Sequence, residues 1–293
     1  MPTLHPALLA ARPKTLPAAI VPVWLGCVLA WKLTGAIDLT LALCTLGGAL
    51  CIQIATNFFN DAIDHRKGAD TARRLGPTRV TASGLMSPER VMRWALGFSL
   101  AAAAFGAVLV LARGWPILAI GIPSLLLAYG YTGGPFPLAY RGLGELFVVI
   151  FFGWIAVAGT VFVQTGTWQP ESILLGTQVG LLSAILISIN NLRDRAEDAT
   201  TGKRTLAVRL GPRYAAAIVW LEVKVAAFLG LGWIAFDLPY FTIASAPIFL
   251  IGLRIIWGLL TLAPGPVMNR LLALGGVQLV FFAALFHAIA VMR

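Results

Sequence analysis

Charge is what this sequence has least of. Asp, Glu, Lys and Arg make up 12% of its 293 residues, about half the usual share of a soluble domain. With 59% hydrophobic residues, a soluble fold would lack the polar side chains to cover its surface. That excludes a water-soluble globular domain and leaves a polytopic membrane protein. Cysteine is scarce too. Cys27, Cys44 and Cys51 all lie in apolar runs, with no CxxC pair and no Cys/His cluster. A zinc site is thereby excluded, and buried thiols remain. The first 15 residues show no short apolar core followed by a small-residue cleavage site, so the first apolar run is expected to persist as an anchor.

What is present is a series of apolar runs long enough to cross a bilayer as helices. They lie near Leu16–Leu33, Leu39–Phe58, Val91–Ala112, Trp115–Tyr131, Glu145–Gln164, Glu171–Asn190, Tyr214–Phe236, Tyr240–Leu262 and Leu271–Val291. The expected fold is all-α, a polytopic bundle of about nine transmembrane helices in one domain over residues 1–293. The fourth run is short and holds Pro116 and Pro123, which favours a kink. Of the 22 Lys and Arg residues, 16 fall on the side that carries the N-terminus and only 3 on the other. This asymmetry places the N-terminus and the two longest connections, His65–Arg90 and Leu192–Arg213, in the cytoplasm. It also accounts for the formal net charge of +10 through topology and an anionic leaflet, so no nucleic-acid partner is expected. Together these features imply a multi-pass membrane protein with its N-terminus in the cytoplasm, in contact with membrane lipid.

Six of the twelve acidic residues sit in two segments. The second run leads into Asn57, Asn60, Asp61, Asp64 and Asp70. The sixth leads into Asn190, Asn191, Asp194, Glu197 and Asp198. Asn57 to Asp61, Asn60 to Asp64, Asn190 to Asp194 and Asp194 to Asp198 are each four apart, so each set shares a face if the helices continue past the membrane. Like charges at that spacing repel, and an unpaired carboxylate costs about 2.5–3.5 kcal/mol at mid-bilayer, less near the interface. Two such segments point to a bound cation. Carboxylate and amide oxygens suit Mg²⁺, with Mn²⁺ as a substitute. The neighbouring Arg66, Lys67, Arg73, Arg74, Arg79, Arg193, Lys203 and Arg204 would repel a bare cation. They fit a multiply charged anion bound with it, such as a diphosphate. The plainer alternative is a pair of solvated helix ends with local ion pairs.

At these residues the chain resembles the UbiA superfamily of intramembrane aromatic prenyltransferases, which carries an NDxxD-type motif after one span and a DxxxD motif after a later one. Here these are Asn60-Asp61-Ala62-Ile63-Asp64 and Asp194 to Asp198, about 130 residues apart. Gly68 with Asp70, Asn190-Asn191-Leu192-Arg193-Asp194, Gly202 to Ala207, Arg12 to Leu16 and Tyr131 to Pro135 resemble the branch that acts on 1,4-dihydroxy-2-naphthoate. One departure is Gly68, which stands where the wider superfamily has a third acid; Asp70 lies two residues on.

The resemblance implies transfer of a polyprenyl chain from polyprenyl diphosphate to 1,4-dihydroxy-2-naphthoate, with loss of diphosphate and carbon dioxide, to give demethylmenaquinone. It implies Asn57, Asn60, Asp61, Asp64, Asp70, Asn190, Asp194 and Asp198 as metal ligands, Asp61, Asp64, Asp194 and Asp198 being the catalytic ones. Lys67, Arg79 and Lys203 would take phosphate oxygens. Apart from the resemblance, the connection from Tyr131 to Arg141 is turn-rich, with Gly133, Gly134, Pro135 and Pro137, and Tyr131 and Arg141 there, with Lys14 on the same side, are candidates to hold the aromatic acid. Phe58, Phe59, Tyr131, Phe151 and Phe152 are candidates for cation–π contact with an allylic cation. His65 is expected at the surface and His287 packed within a helix. The runner-up within the superfamily is 4-hydroxybenzoate prenyl transfer. A divalent-cation transporter is the rival from another class. It is disfavoured because the acids lie at span ends on one side, whereas transport sites form near the midplane.

Overall fold

The protein is described here from a computed structural model covering residues 5–70, 75, 76 and 78–293. Arg73 and Arg74 lie outside the described residues. Every regular element among the described residues is a helix. Eight are long and apolar enough to cross a membrane: Pro17–Thr34, Leu39–Arg66, Pro88–Arg113, Gly144–Thr165, Pro170–Thr200, Pro212–Phe236, Pro239–Thr261 and Met268–Met292. Trp115–Gly130 is apolar but has only 16 residues. With Trp115–Gly130 counted fourth, these helices are called the first to ninth spans, and they match the nine apolar runs in order. The chain is a multi-pass membrane protein.

The sequence sets most of the boundaries. Proline opens the first, third, sixth and seventh spans (Pro17, Pro88, Pro170 and Pro212), where its missing N–H costs nothing. Glycine closes the first and fifth in the left-handed region, at Gly35 with φ 73° and Gly166 with φ 77°. Asp38 caps the second span by accepting from the Leu41 N–H at 2.9 Å.

The second span has 28 residues and the sixth 31. At 1.5 Å per residue they reach about 42 and 46 Å, well beyond a hydrocarbon core of about 30 Å. Both motifs therefore ride on helix extensions, as their four-residue spacing requires. The expected long connection from Leu192 to Arg213 is corrected accordingly. Its first part is helix up to Thr200, and a short helix, Leu206–Leu210, follows.

The two halves of the bundle pack differently. The first span and spans five to nine share one continuous core that includes Leu25, Leu29, Ile185, Val219, Trp233, Phe241 and Phe286. The fifth and sixth spans meet backbone to backbone. A Cβ added at Gly153 would lie 2.3 Å from the Gly176 carbonyl oxygen, and one at Gly180 would lie 2.8 Å from that of Val149. The Gly176–Gly180 pair is thus a close-packing seam. Gln178, buried beside it, donates to the Ala226 carbonyl and Ser245 Oγ and accepts from Trp233 Nε1. It satisfies backbone near the point where the seventh span tightens into a 3₁₀ turn at Leu229–Phe236. His287 is packed within its helix and accepts from Trp24 Nε1 at 2.9 Å.

The other half encloses a cavity of about 620 Å³, walled by the first five spans. Its lining is apolar apart from a few groups such as Thr56, Gln53 and Tyr131 near the motif end. The far end is latched. Asp38 and Gln164 exchange two hydrogen bonds, and Arg113 donates to the carbonyls of Val163 and Gln164. Leu111, Leu118 and Ile122 line the cavity and are themselves exposed.

Candidate active site

In the first motif, successive acids on one helix do different work. Asp61 is buried. Its Oδ2 accepts from the Val80 N–H at 3.1 Å, and its Oδ1 from the Thr81 N–H at 3.0 Å and from the Thr81 hydroxyl. It bolts the loop that follows the second span onto the helix. Three residues on, Asp64 faces charged groups. Its Oδ2 accepts from Arg79 Nη2 at 3.2 Å and Lys203 Nζ at 2.9 Å, and its Oδ1 from the Tyr140 hydroxyl at 2.9 Å. Arg79 also donates through Nε to Asp70 at 3.2 Å. Among the described residues, Arg79 Nη1 is buried with no acceptor.

The amides are tethers in this arrangement. Asn57 donates to the Ala11 carbonyl and to Thr15 Oγ1, which fixes the N-terminal turn where Arg12 adopts a left-handed φ of 51°. Asn60 accepts from the Thr132 hydroxyl, and Lys67 Nζ donates to the Thr132 carbonyl at 2.7 Å. Both hold the connection after the fourth span.

The second motif is more self-contained. Arg193, on the same helix, grips Asp194 through Nε and Nη2, both at 2.6 Å. It also donates to Asn190 Oδ1 at 2.8 Å and to Asn269 Oδ1, from the ninth span, at 2.6 Å. Asp198 is buried one turn further along. Its carbonyl accepts the Lys203 N–H at 3.0 Å, a turn that aims Lys203 back at the first motif.

The residues expected to hold an aromatic acid are not brought together. Tyr131 lines the cavity, and its hydroxyl lies near Gly144. Arg141 is exposed and stacks on Phe136, with its guanidinium carbon 3.7 Å from the ring centroid. Lys14 is exposed on the turn Pro13–Thr15, and His65 is exposed on the second span. Of the five aromatics singled out, Phe58 and Phe59 are buried in a packing cluster, whereas Tyr131, Phe151 and Phe152 line the cavity.

Tyr140, Thr81, Thr132 and Asn269 were not legible as site residues. Only the turn-rich stretch from Tyr131 to Arg141 pointed towards Tyr140 and Thr132. Burial, then the Asp64 charge and its hydrogen bond, push the Tyr140 hydroxyl far above its ordinary pKa. Burial, then the charges of Glu145, Asp64 and Asp198, do the same for Tyr131. Both are neutral phenols. Burial lowers the Lys67 pKa; the Asp64 charge opposes that shift, and the Lys203 charge adds to it.

Hard oxygen donors from Asn60, Asp64, Asp70 and Asp198 have the chemistry of a Mg²⁺ site. Among the described residues, no three His, Cys, Asp or Glu side chains form a metal-ligating group. A metal here would take further ligands from water and a bound anion, the coordination Mg²⁺ favours.

This arrangement has known relatives. The profile of the UbiA prenyltransferase family matches residues 19–272. The chain belongs to the UbiA prenyltransferase family. Among curated members, the chain is 38% identical over 210 residues to a 1,4-dihydroxy-2-naphthoate octaprenyltransferase of Haemophilus influenzae, covering 69% of this chain and 68% of that protein. It is 37% identical over 215 residues to the enzyme of the same name from Bacillus subtilis, covering 73% and 69%. Solved family structures share the fold. A UbiA homolog from Aeropyrum pernix superposes with a TM-score of 0.76 at 19% identity, over 96% of this chain and 99% of that one. One from Archaeoglobus fulgidus, bound to GPP and Mg²⁺, gives a TM-score of 0.70 at 16% identity, over 98% and 99%.

Proposed function

We propose that this protein transfers a polyprenyl chain from polyprenyl diphosphate to 1,4-dihydroxy-2-naphthoate, releasing diphosphate and carbon dioxide and giving demethylmenaquinone. The observation that carries the reading is the joining of two unlike compartments. An apolar cavity of about 620 Å³, within the usual size range of ligand sites, reaches Tyr131, whose neighbour Thr132 is hydrogen-bonded to Asn60 and Lys67 of the first motif. One compartment suits a prenyl tail and the other a diphosphate. The naphthoate rests on the relatives' names.

Lys67, Arg79 and Lys203 are the diphosphate-binding cations. Arg79 and Lys203 rest on Asp64, and Arg79 Nη1 has no acceptor among the described residues. Binding a diphosphate gives these cations oxygen acceptors of higher charge. Asn60, Asp64, Asp70 and Asp198 would hold Mg²⁺, with Mn²⁺ as a substitute. Bound there, the metal would supply Lewis-acid neutralisation of the leaving diphosphate. Asp61 seats the Arg79 loop, and Arg193 with Asn190 fixes Asp194 at the edge of the site. Tyr131, Phe151 and Phe152 present ring faces to an allylic cation, and the apolar wall keeps water from it. The motif end faces the cytoplasm of a bacterial inner membrane, in keeping with the basic residues gathered there.

The test uses detergent-purified protein with one polyprenyl diphosphate and either 1,4-dihydroxy-2-naphthoate or 4-hydroxybenzoate. Prenylated naphthoquinol should form in Mg²⁺ and disappear in EDTA. Product from 4-hydroxybenzoate alone would move the chain to the other branch. Full transfer in chelator would remove the metal from the reading.

A further inference from the structure

Tyr140 stands where the end of the second span and the connection after the sixth meet the connection after the fourth. Its hydroxyl donates to Asp64 Oδ1 at 2.9 Å. The Lys67 ammonium lies 4.2 Å from its ring centroid and that of Lys203 5.3 Å. Its carbonyl accepts the Arg204 N–H at 3.1 Å, so the backbone is fixed as well as the side chain. Gly142, with φ +70°, lets the chain pass the Arg204 carbonyl, where a Cβ would come within 3.0 Å. Two ammonium groups gathered at one ring repel each other. Lys67 is tied to the Thr132 carbonyl and Lys203 to Asp64, and the negative face of the ring they share offsets their mutual repulsion.

We infer that Tyr140 is a positioning residue whose ring is the platform for Lys67 and Lys203, setting the spacing of the two ammonium groups for a diphosphate. The inference deepens the reading given above and rests on it. Without an anion, the ring offsets the repulsion between the two lysines. With a diphosphate, each ammonium takes an oxygen without leaving the ring, so little reordering accompanies binding. The hydroxyl has a separate task, docking the connection after the fourth span onto Asp64.

The test measures affinity for inorganic diphosphate with Mg²⁺, by calorimetry on detergent-purified full-length protein. Tyr140→Leu should weaken binding about tenfold, whereas Tyr140→Phe should stay within about threefold. Should the leucine variant fold poorly, phenylalanines of increasing fluorination at position 140 replace it. They keep the shape and progressively empty the ring face, so affinity should fall stepwise. A packing role would leave that series flat. The KM for the aromatic acid should be unmoved throughout. A flat series, or Tyr140→Phe as weak as Tyr140→Leu, overturns the platform. Failure of the wild-type protein to bind diphosphate would strike the functional reading first, and the platform would fall with it.

Discussion

Asp64 in the first motif meets side chains from three separate connections: Arg79 after the second span, Tyr140 after the fourth and Lys203 after the sixth. Asp194 in the second motif is met by its own neighbour Arg193, steadied by Asn190 on the same helix and Asn269 on the ninth span. One carboxylate is neutralised only when distant loops have docked. The other is neutralised almost as soon as its helix forms and packs. The first motif therefore registers closure of the site, and the second provides a fixed wall against which closure occurs. The same contrast runs through the bundle, with a solid core behind the second motif and a cavity in front of the first.

The largest effect expected from this contrast is on stability. Arg193→Ala leaves Asp194 buried without its counter-charge. Breaking such a pair costs about 3–5 kcal/mol, seen as a lower thermal midpoint in detergent, and removing both side chains should restore much of it. Lys203→Ala should cost far less, because Asp64 keeps Arg79 and the Tyr140 hydroxyl. Equal losses from the two variants would erase the distinction between the motifs.

Next comes turnover. Asp64→Asn removes the charge on which three segments converge. Single-turnover diphosphate release should fall about 10²-fold or more, the scale for losing one preorganised electrostatic group, with no loss of folded protein. Near-normal release would show that the junction is incidental.

Asp61→Ala should act through the loop. It deprives the Val80 and Thr81 N–H groups of their acceptor, at a local cost of about 1–3 kcal/mol, so these amides should exchange hydrogen faster. The KM for prenyl diphosphate should rise as Arg79 loses its seat, while the Mg²⁺ requirement stays where it is. A Mg²⁺ requirement that rises alongside would return Asp61 to the metal ligands. The smallest effect is expected from Glu197→Ala. Glu197 stands outside the Asp194–Asp198 spacing of the second motif, so turnover should stay within about threefold. A defect as deep as that of Asp64→Asn would redraw the second motif.

Helices and motifs were legible in the sequence because their signals are local. Apolar length, proline at helix starts and the four-residue Asn/Asp spacing each depend on one segment. Partnerships were less legible. Adjacent side chains on a helix ordinarily point apart, so nothing in the letters indicated that Arg193 would fold back on Asp194. Asn57 and Asn60 matched the resemblance, but their actual partners, Ala11, Thr15 and Thr132, lie far away in sequence or in other connections. Tyr140 carried no signal of its own, because its role arises only where three connections meet. Lys14 and Arg141 followed from sidedness alone, which cannot tell a surface cation from one that reaches the cavity.

The latch at the far end has a bearing on traffic. Asp38 with Gln164, and Arg113 on two carbonyls, tie the helix ends together on the side away from the motifs, while the motif end is crowded with charge. A tail longer than the chamber meets Leu118 and Ile122, which line it and are also exposed, and can pass sideways there into the acyl chains of the bilayer. The chamber then grips only the units nearest the reacting carbon, and the lipid acts as a solvent for the remainder.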